Sequence, residues 1–195
     1  MCSNFEMIAS PTDLASAFGL DDVPELFGPE QIWPTDPALA ITGQNSTRQL
    51  RFGIEVPWDK APLINARSET VMEKPTFRAL LENRCLIPAT AWFEWRKDGK
   101  AKFKNRIYSA DQKLMTFGAL FDGDRFVLLT RPAIPSVSHI HHRMPVLLDK
   151  QISALWLNPD IATPELWAHL NPAPDLDMQM DEIKPPPSRQ GELFI

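Results

Sequence analysis

Between residues 85 and 130 the chain offers little but short apolar or aromatic runs separated by turn signals. "CLIPA" and "AWFEWRK" read as strands. "KDGK" reads as a turn, and "KFKNRIYS" as the strand that follows. "LMTFGALFD" and "RFVLLT", joined by a turn at Asp122–Gly123–Asp124, form a hairpin pattern. No helix of crossover length separates these runs, so a parallel βαβ sheet has no room to form. "ALAIT" and "RQLRFGIEV" add strands upstream. Helices fall outside this region. "SPTDLASAFGL" places Ser10 as N-cap, Pro11 at the first helical position, Asp13 in the first turn and Gly19 as terminator. "KPTFRALLENR" reads as a helix from Pro75. "DKQISALWL" and "TPELWAHL" read as late helices capped by Asp149 and Thr163. The expected class is α+β: an antiparallel sheet, closed into a barrel, with peripheral helices.

At 195 residues the chain is long enough to bury a core as a single domain. Cys2 and Cys85 are its two cysteines, too few for a secreted disulfide framework. No apolar run approaches the ~20 residues that span a bilayer. No basic-then-apolar leader opens the chain, and a cytoplasmic location follows as the expectation. The net charge of −5 excludes a surface coated for duplex DNA and permits a local basic groove. Nineteen prolines, roughly twice ordinary usage, imply many defined loops. The last stretch, "KPPPSRQGELFI", reads as an extended tail over 185–195, after a domain at 1–184.

Four stretches carry side chains with chemistry. "MCSNFEM" puts Cys2 directly after the initiator. Methionine is trimmed ahead of a small residue, which leaves an α-amine and a thiol on one carbon framework. The amine titrates near 7.7–8.0 and the thiol near 8.5, so both are usable nucleophiles at neutral pH. Such a 1,2-aminothiol captures an aldehyde as an imine and closes it to a thiazolidine; a small residue in a first strand is the plain alternative. "SHIHHRMP" holds three of the four histidines. On a strand His139 and His141 share a face and His142 points away. A zinc site needs further ligands in a recognisable spacing, and none accompanies them, so no metal is expected. A general acid or base, or solvated loop histidines, are the remaining readings. "TAWFEWRK" sets Glu94 on the face of Trp92, with Phe93 and Trp95 opposite. Glu94 is either a solvated edge group or a buried acid of raised pKa, suited to shuttling protons. "INARSET" offers Asn65, to orient a nucleophile or cap a turn, and Arg67, to pair with a carboxylate or hold a phosphate.

In order along the chain, "MC", "INARSET", "LIPATAWFEW" and "IHHRMPVLL" resemble the SOS response-associated peptidase (SRAP) family, also described as abasic-site processing proteins. "RFGIEVPW" is similar to that family's Arg-Trp-Gly-Leu-Ile-Pro-x-Trp segment, and "TFGALFD" to its Phe-Ala-Gly-Leu-Trp segment. The resemblance implies a compact α+β domain with a basic groove for single-stranded DNA and Cys2 at its base. It implies a substrate, the ring-opened sugar of an abasic site, and a product, a covalent thiazolidine crosslink formed once Met1 has gone. The family's catalytic Asn, Glu and His fall on Asn65, Glu94 and His141. Arg51, Arg67 and Arg143 become the phosphate contacts. Trp58 and Phe52 become aromatics beside unpaired bases, core packing being the alternative for both. No cofactor, no membrane and a monomer are implied. Three positions depart from the family: Ser3 and Asn4 stand where Gly-Arg is usual, Gln31 or Trp33 where an Asn precedes Ala-Pro-Thr, and Phe52 where a Trp opens the Trp-Gly-Leu segment. A Cys–His peptidase that cuts its own Met1–Cys2 bond, and a DNA- or partner-binding module without chemistry, are the competing functions.

Overall fold

The structure is a computed structural model that describes residues 2–23, 28–111, 113–170 and 176–183. The expected tail at 185–195 lies outside the described residues.

β1 (Phe5–Glu6) leads into α1 (Pro11–Phe18). The helix begins as its sequence dictates. The Ser10 hydroxyl accepts from the Asp13 N–H, the Asp13 carboxylate accepts from the Ser10 N–H, and Pro11 fills a position whose N–H would lack a partner. Gly19 ends it at a φ of 64°. β2 (Gln31–Ile32) precedes the antiparallel pair β3 (Pro37–Gly43) and β4 (Ser46–Phe52). The expected strand "RQLRFGIEV" divides at Gly53. There φ is 104°, and a Cβ would sit 2.8 Å from the Pro62 side chain, so only glycine permits the turn. β5 (Ile54–Val56) and β6 (Asp59–Leu63) make a separate hairpin, and β7 (Asn65–Arg67) follows.

The helix expected from Pro75 is one turn long, α2 (Pro75–Arg78). Lys74 supplies no capping side chain, and the chain beyond closes i→i+3 turns, from Leu80 to Phe77 and from Asn83 to Leu80. The aromatic region forms β8 (Arg84–Ala89), β9 (Ala91–Asp98), β10 (Ala101–Ser109), β11 (Met115–Asp122) and β12 (Arg125–Pro132). After it come α3 (Pro135–Ser138), β13 (Arg143–Pro145), α4 (Lys150–Leu157), α5 (Thr163–Leu166) and β14 (Met178–Ile183). Asp149 caps α4 through the Ile152 N–H. Thr163 is not a cap: Ala162 holds that place in α5. The buried Thr163 hydroxyl donates to the Leu81 carbonyl and accepts from Arg84 at 2.7 Å.

Two sheets result. One runs β11-β8-β3-β4-β12 and closes on itself through the β11–β12 hairpin, a small barrel. Two short strands attach to β12: β7 runs parallel to it (Asn65 opposite Leu128, Arg67 opposite Thr130) and β13 antiparallel. The other sheet is β14-β10-β9-β1-β2. Strand alternation sends Ala40, Phe52, Ile87, Phe117 and Phe126 into one core cluster. Their neighbours Leu39, Leu86, Leu120 and Val127 join Leu14 of α1 and Trp156 of α4 in a second cluster. Strands β3, β8, β11 and β12 are therefore apolar on both faces, while β4 keeps an exposed polar face. Phe5 and Trp92 carry the second sheet onto the first cluster, with Phe5–Phe52 centroids at 5.5 Å and Trp92–Phe117 at 6.1 Å, both edge-to-face. Among the described residues no helix is long and apolar enough to cross a membrane.

Candidate active site

The N-terminal segment is pinned along β9. Phe5 pairs with Trp92, and the Asn4 carbonyl accepts the Phe93 N–H at 3.2 Å. This places Cys2 at the seam between the two sheets, fully buried within the barrel-side cluster. Its thiol donates to the Asn4 carbonyl at 3.6 Å. Burial pushes the thiol pKa well above its ordinary value, so the sulfur is protonated in this state. Asn65, at the start of β7, reaches across the seam: its Nδ2 donates to the Cys2 carbonyl at 2.9 Å.

Glu94 lies on β9 on the inward face with Trp92, as alternation requires, and is 3% exposed; Trp95 on the opposite face is 44% exposed. Burial pushes the Glu94 carboxyl up to about 7, with the positive amino terminus pulling the other way. Its Oε1 is 3.8 Å from Nδ1 of His141. The histidine segment is not a strand. Residues 135–138 form α3, and His139 is its C-cap. His141 Nδ1 lies 3.1 Å from both the N–H and the carbonyl of Arg143, so it accepts from the one or donates to the other according to the tautomer. Burial lowers the His141 pKa. His142 does not point away: the two imidazole centroids are 4.4 Å apart. The described residues contain no group of three His, Cys, Asp or Glu side chains able to hold a metal.

Two expected DNA contacts are corrected. The Arg143 side chain is 7% exposed and taken up internally. Its two terminal nitrogens grip Glu69 at 2.7 and 2.8 Å, and it donates to the Thr130 carbonyl at 2.8 Å and to the Thr130 hydroxyl. That fork is filled by a carboxylate rather than open to a phosphate. The Arg143 guanidinium holds Glu69 down at about 2. Phe52 is a core residue, fully buried and stacked on Phe126 at 5.1 Å, so its ring cannot meet a base. Trp58, by contrast, is 66% exposed at the turn of the β5–β6 hairpin. Arg67 is exposed on β7 and Arg51 on β4. They are not neighbours: Arg51 lies opposite Arg125 of β12 and Arg67 opposite Thr130. Five residues of strand separate them, roughly 17 Å. Asn4 is fully buried, and neither side-chain amide atom has a hydrogen-bond partner. Glu69, the partner of Arg143, is the residue near the site that reading the sequence passes over, although it sits inside "INARSET". A hollow of about 400 Å³ beside Met7, Ser10 and Lys113 includes none of Cys2, Asn65, Glu94 and His141. Chemistry, not concavity, picks out the site.

The model of the family described as SOS response associated peptidase (SRAP) matches residues 1–186. The chain belongs to the SRAP family. Two relatives in Bacillus subtilis are named as abasic site processing proteins. YoqW is 32% identical over 207 residues, covering 94% of this chain and 92% of that protein. YoaM is 32% identical over 191 residues, covering 85% and 82%. A solved structure of a protein from Bacteroides thetaiotaomicron superposes with a TM-score of 0.81 over 94% of this chain and 92% of that one. At 23% identity that likeness is one of fold. It agrees with the α+β class, mainly antiparallel and closed, that the strand pattern implies, and with the compact domain that the family resemblance implies.

Proposed function

We propose that this SRAP protein handles abasic sites in single-stranded DNA by forming a covalent thiazolidine with the N-terminal aminothiol of Cys2, after Met1 is removed. The observation that carries the reading is the hydrogen bond from Asn65 to the Cys2 carbonyl, which holds the N-terminal residue in one seam with Glu94 and His141. In the reaction the protonated His141 gives its Nε2 proton to the ring oxygen as the deoxyribose opens, and the neutral ring then takes up the proton that the anomeric hydroxyl releases as its carbon becomes the aldehyde. The α-amine of Cys2 adds to the exposed aldehyde carbon. Glu94, balanced near neutrality, accepts a proton from the amine and returns it to the carbinolamine hydroxyl, which departs as water. The Cys2 sulfur then adds to the imine carbon and its proton moves to the nitrogen. One water is released overall, and nothing is oxidised or reduced.

The protonated, buried thiol favours this order over a Cys–His peptidase. A peptidase attacks with a thiolate, which an electropositive surrounding must stabilise; here burial disfavours it. In the thiazolidine route the amine acts first, and the thiol adds to an already electrophilic carbon. Intact-mass measurement tests the proposal. The Met1-free protein mixed with a single-stranded abasic oligonucleotide should gain the mass of the DNA less one water. An uncleavable N-terminal extension should abolish that gain while Cys2 remains alkylatable in unfolded protein. A normal crosslinking rate with the extension in place would eliminate the aminothiol mechanism.

A further inference from the structure

The outer face of the sheet β14-β10-β9-β1-β2 has no part in the steps above. Alternation and register put Lys104 and Arg106 of β10 on that face, opposite Trp95 and Phe93 of β9. The Lys104 ammonium lies over two rings at once, 4.2 Å from the centroid of Phe93 and 5.2 Å from that of Trp33. Trp33 and Trp95 are both exposed. We propose that Trp33 and Lys104 seat the nucleotide beside the lesion, its base against the Trp33 ring and its phosphate on the Lys104 ammonium. The proposal rests on the function assigned above.

The seat is close to the reacting residue. Phe5 pairs with Ile32 and with Trp92, and the Phe93 N–H donates to the Asn4 carbonyl. One residue further along the same register, Asn4 lies between Trp33 and Phe93, under Lys104. At most about 7 Å of chain separates Asn4 from Cys2. The buried Asn4 amide has no hydrogen-bond partner, and a phosphate drawn to Lys104 brings an acceptor within its reach. Trp33 is held in a closed turn. Its N–H donates to the Asp36 carboxylate and its carbonyl accepts from the Asp36 N–H, both at 3.0 Å, and the Thr35 N–H donates to the Phe52 carbonyl at 2.7 Å. Thr35 has a φ of 78°, which a β-branched residue adopts only where its surroundings impose it. A ring fixed in this way loses little freedom when a base stacks on it. The charge of the face points to an anion. Among the described residues no carboxylate lies within ion-pair distance of Lys97, Lys102 or Lys104. Lys97 and Lys102 stand directly opposite each other across β9 and β10, a like-charge pair that an anion relieves. The acids of the face, Glu6 and Asp181, both act on Arg106. Exposed indoles among cations without carboxylates suit a polyanion that also offers flat rings, as a single strand does.

The test is non-covalent binding of the full chain, by fluorescence anisotropy, to single strands that carry tetrahydrofuran, an abasic analogue without an aldehyde. In one strand ordinary bases flank the analogue; in the other the flanking positions are tetrahydrofuran as well. Trp33→Ala should weaken binding to the first strand by roughly 5- to 150-fold and leave binding to the second nearly unchanged, with Trp33→Phe recovering part of the loss. Lys104→Gln should reduce the slope of log K against log salt by about 0.7, and Lys104→Arg should restore it. Equal losses on the two strands in Trp33→Ala would overturn the seat for the base. A salt slope untouched by Lys104→Gln would overturn the phosphate contact and leave the face to a different class of partner, an acidic protein segment. No covalent step is read in this assay. The expected losses in a protein that never crosslinks to a true abasic strand would therefore keep the seat and remove the aminothiol reaction instead.

Discussion

Replacing Glu94 by Gln should stop the chemistry and stabilise the fold, and only above a particular pH. The Glu94 side chain is 3% exposed, and burial lifts its carboxyl from 4.5 to about 7. In the unfolded chain it ionises at the lower value. Between the two values the native state therefore holds a proton that the unfolded state has released. Stability from this group is intact below pH 4.5 and falls as pH rises through about 7. Each pKa unit is worth about 1.4 kcal/mol, so the full loss is about 3 kcal/mol, of which water and neighbouring charge remove a part. Glu94→Gln carries no ionisable proton and escapes that loss. Urea unfolding at pH 5 and pH 8 should show a wild-type stability gap between the two conditions that shrinks in the variant. Crosslinking at pH 8 should meanwhile fall by roughly 10²–10⁴-fold, the usual contribution of a general acid–base group. An identical pH dependence of stability in both proteins would refute the reasoning, because it would mean that Glu94 is not ionising against a buried surround.

Phe52→Ala should cost about 3–5 kcal/mol of stability, through the cavity it leaves, without altering single-strand affinity at temperatures where it stays folded. Trp58→Ala should do the reverse, with stability changed by less than about 0.5 kcal/mol and non-covalent binding weakened by about 1–3 kcal/mol if one base stacks there; calorimetry and fluorescence anisotropy separate the two. Glu69→Gln breaks the two-point grip on Arg143 and should lower thermal stability and crosslinking together, with Glu69→Asp recovering part of both. Arg67→Ala and Arg51→Ala should act independently because of their separation along β12. If both contact phosphate, each should reduce the slope of log K against log salt by about 0.7, and the double variant by the sum.

What could be read before folding was what depends on near neighbours. The Ser10–Asp13 capping box, the Gly19 terminator, the Asp149 cap and the Asp122–Asp124 turn are all closed within four residues, and all are present. Glu94 was placed on the face of Trp92 because strand alternation is a local rule. The errors lie where distant partners decide. Arg143 looks like a free cation until Glu69, 74 positions earlier, fills its fork. Thr163 looks like a cap until Arg84, 79 positions earlier, engages its hydroxyl. Phe52 reads equally as a base contact or a core residue until Phe126 stacks on it through the parallel β4–β12 pairing, which no hairpin signal announces. The histidines at 139–142 were set on a strand, and the brief α3 turn changes which ring faces which.

The seam that holds Cys2 is assembled from residues made far apart in time, since His141 is added 139 residues after Cys2. At about 5–20 residues per second, roughly 7–28 s pass before the ribosome has made every side chain of the site. Until β9 and β12 have been made, Cys2 has no seam to enter. Once the barrel closes Cys2 is fully buried, so whatever reaches it must come through the seam that Asn65 spans.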